Sequence, residues 1–205
     1  RRSRIPLQHI MGEMAFRHLT LKAGPGVFSV RPETETLVEL ALQILCEDGR
    51  KGANSVRKVA DLCAGSGAIG YSIATEAPNI HVDLVELDQR AAPYLRANLD
   101  ALDPFAEGSK ATVVIDDALT ALAGQEGTFS LVASNPPYVG KADMPTQPEA
   151  QADPPTALYG GGEDGLVIPR GIVGRAFELL DETGALVMEH GETQGPELVA
   201  HAISV

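Results

Sequence analysis

The segment that most limits how this chain can fold is Asn135-Pro136-Pro137-Tyr138, set directly after the apolar run Phe129-Ser130-Leu131-Val132-Ala133-Ser134. The run reads as a buried strand. Two consecutive prolines cannot extend a strand or occupy a helix interior, because each fixes φ and removes a backbone donor. The residue before them is pushed into an extended conformation. A stiff turn at the C-terminal end of a sheet strand follows, which is where open α/β sheets bind ligands. The turn presents an amide side chain, a carbonyl on Pro136 and an aromatic ring. That set suits a planar NH2 group, with two acceptors for its protons and a flat surface for its π-face. Taken alone, the same residues also make an ordinary proline turn.

A second segment sharpens the first. Val56-Arg57-Lys58-Val59-Ala60-Asp61-Leu62 is a short strand that runs into Cys63-Ala64-Gly65-Ser66-Gly67-Ala68-Ile69-Gly70 and then a helical stretch. Glycines here admit a ligand close to the backbone, beside a helix N-terminus with unpaired N–H groups. The spacing Gly65-x-Gly67-x-x-Gly70 matches a dinucleotide fingerprint. The next strand ends at Glu86, an acid placed to bind a ribose diol. An adenosine-bearing ligand fits, and NAD and S-adenosylmethionine both qualify. Asp61 leans towards the second. A carboxylate just before the turn repels a pyrophosphate and suits an ammonium and a sulfonium. As a turn or helix-capping residue, Asp61 would have no ligand role.

Strands are expected near 57–62, 80–86, 111–115, 129–134 and 184–190. Helices are expected at 33–46 and near 67–76, 89–102, 166–181 and 194–203. Such alternation means a mostly parallel sheet with helices on both faces. Between Pro6 and Val30, short alternating stretches broken by glycines and Pro25 suggest a β-hairpin. A polar, glycine-containing linker covers Glu47–Ser55. From Val139 to Asp164 no regular element is expected. That length of loop beside the proline turn suggests a functional lid.

Composition excludes more than it selects. Net charge is −12, with 16 Lys and Arg in all, which argues against a nucleic-acid binder. The one basic concentration is Arg1, Arg2 and Arg4. Two cysteines, Cys46 and Cys63, are too few for a disulfide frame or a zinc site and suit a reducing, cytoplasmic setting. Neither a membrane span nor a signal peptide is expected. Both chain ends read as cut.

In order, the chain carries Gly12, Phe16, Arg31-Pro32-Glu33-Thr34-Glu35, Asp61 to Gly67, the Asn-Pro-Pro-Tyr tetrad, Ala157-Leu158-Tyr159-Gly160-Gly161, Asp164-Gly165-Leu166 and Glu189-His190-Gly191. This set resembles the HemK/PrmC family, the protein-(glutamine-N5) methyltransferases that act on the Gly-Gly-Gln loop of class-I peptide chain release factors. The resemblance implies a Rossmann-like class I S-adenosylmethionine-dependent methyltransferase. It divides the chain into residues 1–32, a linker and hairpin remnant after a missing helical domain, and a C-terminally truncated methyltransferase domain over 33–205. It implies that Asp61 and Cys63, Ala64, Gly65, Ser66 and Gly67 hold the methionine part of the cofactor, Glu86 the ribose, and Asp117 and Ala118 the adenine. Asn135, Pro136, Pro137 and Tyr138 would bind the substrate glutamine, with Phe16 covering cofactor or substrate; Asn135, Pro136 and Tyr138 carry the catalytic roles. Departures from the family pattern are Ser29-Val30, Cys63 in place of the first turn glycine, and Ala118. Three other readings stay open: a ribosomal-protein glutamine as substrate, an adenine-N6 methyltransferase on nucleic acid, and an inactive S-adenosylmethionine-binding module.

Overall fold

The computed structural model describes residues 4–47, 55–102, 105–147 and 150–205. Arg1, Arg2, Pro148 and the linker residues 48–54 lie outside the described residues.

A short helix, α1 (Leu7–Met11), ends at Gly12 with φ 75° and leads into a hairpin of β1 (Glu13–Phe16) and β2 (Leu19–Lys22). The strands pair antiparallel from Glu13↔Lys22 to Phe16↔Leu19. Their alternation buries Met14, Phe16, Leu19 and Leu21 on one face. At the hairpin tip, Arg17 makes a two-pronged pair with Glu76, Nε to Oε1 at 2.7 Å and Nη2 to Oε2 at 2.6 Å. That pair ties the hairpin to the helix carrying Glu76.

Helix α2 (Thr34–Glu47) precedes the main sheet, built from β3 (Arg57–Leu62), β4 (Ile80–Glu86), β5 (Lys110–Ile115), β6 (Phe129–Ser134) and β7 (Leu180–Met188). The strands are all parallel, in the order β5-β4-β3-β6-β7. Helices α3 (Ala68–Glu76), α4 (Ala92–Ala101), α5 (Val167–Leu179) and α6 (Gly195–Ser204) complete the alternation. Alternate strand residues feed two apolar clusters. Val59, Val82, Leu84 and Leu131 pack with α2, α3 and the hairpin. Ala60, Leu62, Val85 and Val132 pack with Ile172, Ala176 and Leu179 of α5. Covering both faces is what lets β6 be buried at every position. Connections leave β3 towards β4 and β5, and β6 towards β7. The gap between the C-terminal ends of β3 and β6 is therefore the switch point where such sheets bind ligands.

Two expectations need correction. The last strand starts at Leu180, not 184, because the pairing slips: Phe129 faces Leu180 but Leu131 faces Ala185. The polar stretch Asp181-Glu182-Thr183 hides this start from a hydrophobicity reading. Glu189 and His190 consequently fall just past the strand. The loop over 139–164 also contains three single 3-10 turns, Lys141–Asp143, Ala150–Ala152 and Pro155–Ala157, and a bridge between Val139 and Tyr159. Among the described residues, no helix is long and apolar enough to cross a membrane.

Candidate active site

A cavity of about 700 Å³ opens at the switch point. Its walls come from the glycine turn, the ends of β4, β5 and β6, and the loop after the tetrad.

On the turn, Cys63, Ala64, Gly65 and Ser66 line the cavity. Gly65 has φ 58°, and a Cβ there would meet nothing within 4 Å, so its place on the wall is open to a ligand. Gly67 is not part of the wall. Its φ is 87°, and a Cβ would sit 2.1 Å from Cε2 of Tyr71, so it serves helix packing. Cys63 holds φ 68° without being glycine, a conformation that costs about 1–2 kcal/mol. Burial, then the charges of Glu86 and Asp61, push its thiol pKa upwards, so it stays a neutral thiol rather than a nucleophile.

Glu86 ends β4 on the cavity wall. Its Oε2 accepts the Gly65 N–H at 2.7 Å and its Oε1 the Asp88 N–H at 2.6 Å. Each oxygen keeps acceptor capacity for a ligand. Burial raises its pKa against the opposing pull of those backbone bonds. Asp61 sits one layer lower. It is fully buried, and it is not among the residues of the wall. Its Oδ2 accepts the Gly70 N–H in the first turn of α3 at 2.8 Å, while Oδ1 has no partner. Burial chiefly pushes its pKa up to about 7, and the charge of Glu86 adds to this. Any ligand contact expected of Asp61 is replaced by the capping role, and its influence on the cavity is through its field. Asp117 and Ala118 line the far side. Asp117 also shapes the wall, since its Oδ1 accepts the Leu119 N–H at 2.9 Å.

At the end of β6, Asn135 and Pro137 face the cavity. Pro136 is buried, and neither it nor Tyr138 is part of the wall. The Asn135 Nδ2 donates to Thr34 Oγ1 at 3.3 Å, and that hydroxyl donates to Glu189 Oε2 at 2.7 Å. The Tyr138 hydroxyl donates to Glu189 Oε1 at 3.2 Å. Burial and then the Glu189 charge raise the phenol pKa, which keeps it a donor.

Phe16 does not reach the site. It is 2% exposed and belongs to the apolar cluster under the hairpin. The aromatics on the wall are Phe28 and Tyr159, and the Arg31 guanidinium lies 5.0 Å from the Phe28 ring centroid. The alternation of β1 makes Phe16 an inward residue, whereas Phe28 lies in the irregular stretch just before Arg31-Pro32. Thr34, whose residue type suits the first turn of α2, also lines the cavity.

The loop expected as a lid does lie over the cavity. Pro154, Pro155, Thr156 and Tyr159 close the cavity from the loop. Asp153, 3% exposed, accepts the Ser29 N–H at 3.0 Å and the Arg31 Nη2 at 2.5 Å. Thr156 Oγ1 donates to Asp88 Oδ2 at 2.8 Å. Asp88 also binds Arg90, whose guanidinium holds the carboxyl well below the usual range. These ties need pairs of residues more than 60 positions apart, which no local pattern announces.

The chemistry of the walls selects among adenosine ligands. Glu86 offers acceptors for a diol. The Glu86 carboxylate makes the floor negative, which disfavours a pyrophosphate and favours a cation, and the Asp61 charge adds to this as pH rises through about 7. Asp61 Oδ1, buried without a partner, lies beneath the turn that would face the cationic end. The residues present therefore fit S-adenosylmethionine better than NAD.

The model of the methyltransferase small domain family matches residues 18–172. A release factor glutamine methyltransferase of Bifidobacterium longum is 45% identical over 98% of this chain and 69% of its own length. Another of Streptomyces coelicolor is 42% identical over 97% of this chain and 67% of its own length. The chain thus spans about two thirds of these relatives. A methyltransferase structure from Pyrococcus furiosus superposes with a TM-score of 0.59 at 17% identity, over 90% of this chain and 76% of that one. At that identity it speaks for the fold alone.

Proposed function

The chain belongs to the release factor glutamine methyltransferases, and from that premise we propose that it methylates the side-chain amide nitrogen of the glutamine in the Gly-Gly-Gln loop of class-I peptide chain release factors. The observation that carries this reading is the meeting of two walls in one cavity: Glu86 with the Cys63–Ser66 turn on one side, and Asn135 with Pro137 on the other. S-Adenosylmethionine is the methyl donor; when bound it supplies an electrophilic sulfonium methyl group.

Glu86 would take the ribose hydroxyls, Asp117 and Ala118 the adenine edge, and backbone groups of Cys63 to Ser66 the methionine part. Asp61 favours the cationic end without touching it. A carboxamide nitrogen is a poor nucleophile, since its lone pair is delocalised. Asn135 Oδ1 would accept one of its N–H protons; the Pro136 carbonyl, expected to take the other, belongs to a residue that does not line the cavity. The bond to Asn135 orients the nitrogen and favours the positive charge that develops on it. Positioning supplies most of the rate gain, and no strong base is needed before attack. His190 is exposed, with its Nδ1 2.8 Å from the Gly191 carbonyl oxygen, and it is not part of the wall. The loop over 139–164 forms the roof and would also meet the partner protein, since Gly-Gly-Gln itself offers little side-chain surface. We place this reaction in the cytoplasm, where release factors act.

The test is transfer of a tritiated methyl group from S-adenosylmethionine to purified release factor. Label should enter the wild-type factor and not a Gln→Ala variant of its Gly-Gly-Gln loop. Equal labelling of both, or labelling only of an adenine-containing oligonucleotide or a ribosomal protein, would overturn the assignment.

A further inference from the structure

Behind the tetrad, the hydrogen bonds have a direction. The Glu189 main-chain N–H donates to the Ser134 carbonyl at 3.0 Å, which holds its side chain beside the strand end bearing Asn135. A carboxylate can only accept. With Thr34 Oγ1 2.7 Å from Glu189 Oε2, the single hydroxyl proton of this buried threonine goes to Glu189. The Thr34 oxygen then has only lone pairs for its other neighbour, the Asn135 amide at 3.3 Å. Asn135 must turn its NH2 towards Thr34, which leaves its carbonyl oxygen for the cavity. The two faces of an amide are alike in shape, so its network decides which way it points. The opposite flip would set two acceptor oxygens against each other. The second oxygen of the same carboxylate holds the Tyr138 hydroxyl at 3.2 Å.

We propose that Glu189 is a positioning residue: acting through Thr34, it fixes the Asn135 amide with its acceptor towards the substrate, and through Tyr138 it holds the far end of the same turn. This rests on the reading of Asn135 as acceptor for the glutamine amide. Glu189 replaced by glutamine can donate as well as accept, so the direction is lost while the shape is kept. Thr34→Val removes the relay, and Thr34→Ser retains it.

The experiment uses the full chain with S-adenosylmethionine and release factor. In Glu189→Gln and Thr34→Val, kcat should fall about tenfold or more, while the cofactor Kd and the KM for release factor stay within about twofold. Thr34→Ser should recover most of the loss, with unfolding midpoints measured for all three. The relay is also read without turnover. In nitrogen-15-labelled chain, the Asn135 side-chain NH2 should give a nuclear Overhauser contact to Thr34 that Glu189→Gln weakens. Unchanged kcat in Glu189→Gln, a loss confined to cofactor affinity, or a serine variant as impaired as the valine variant would overturn the proposal. A wild-type chain that gives the contact but labels no release factor defeats the substrate reading and supports the relay.

Discussion

The two walls of the cavity are built on opposite plans. The wall at β3 and β4 is backbone and the Glu86 carboxyl group, which has bonded only to main-chain N–H groups and keeps acceptor capacity, with Asp61 buried beneath it. At β6 and β7, Asn135 on the wall is the first link of a chain of side chains that runs behind it through Thr34 and Glu189 to Tyr138. The first is left unsatisfied for a ligand to complete. The second is satisfied in advance, so that one group is presented in one orientation. On the proposed reading, affinity for cofactor would belong to the first wall and turnover to the second.

Substitutions should separate these roles, and the largest effect is expected at the tetrad. Asn135→Ala should lower methyl transfer by about 10²-fold or more, as for loss of one preorganised polar group, with cofactor affinity nearly unchanged by calorimetry. Parallel losses of both would merge the two walls into one unit. Glu86→Ala should weaken S-adenosylmethionine by about 1.5–3 kcal/mol, the range for hydrogen bonds to a charged group, with kcat largely kept at saturating cofactor. An unchanged dissociation constant would remove Glu86 from the ribose site.

Acidity offers a subtler separation. Asp61 has a folded pKa of about 7, above its ordinary 3.8. The folded chain therefore favours the neutral form. This contribution to stability is fully present below pH 3.8 and is lost as pH rises through about 7. Asp61→Asn should flatten the decline of the unfolding free energy across that window, measured by denaturant titration. Glu86 has the same sign. Hydroxyl donors favour its ionised form, so cofactor affinity should rise with pH where Glu86 titrates; a flat profile would count against that contact. Asp153→Ala should increase amide exchange over residues 150–160 and raise the KM for release factor more than that for cofactor. If exchange there is unaltered, the roof does not depend on this anchor. The smallest effect is expected for Cys63→Gly. Relief of about 1–2 kcal/mol at the left-handed position is offset by the roughly 0.5–1 kcal/mol entropy cost of glycine. A small rise in melting temperature should result, and a fall would show that the thiol contributes packing.

The same contrast explains what could be read in the sequence. Strands β3, β4 and β6 were legible to the residue because they are apolar runs with sharp polar or proline ends. The cavity side at β3 to β5 was legible because its residues sit in short segments: Cys63 to Ser66, Glu86, and Asp117-Ala118. Phe16 was misplaced because an alternating hairpin has two faces, and sequence alone does not say which one meets the core. Helix α1 and the 3-10 turns are too short to leave a period. The relay and the ties that pin the roof, Asp153 to Ser29 and Arg31 and Thr156 to Asp88, depend on which distant segments meet, and residue types alone do not encode that.

Thr34 and Glu189 stand 155 positions apart in the chain, whereas Gly65 reaches Glu86 across 21 and Asp61 reaches Gly70 across 9. During synthesis, the segments of the cofactor wall leave the ribosome together, but the circuit that orients Asn135 cannot close until Glu189 has emerged. Contacts of such long range are the slow ones to form. The Gly65–Glu86 and Asp61–Gly70 bonds can therefore form on a growing chain before the Thr34–Glu189 bond can.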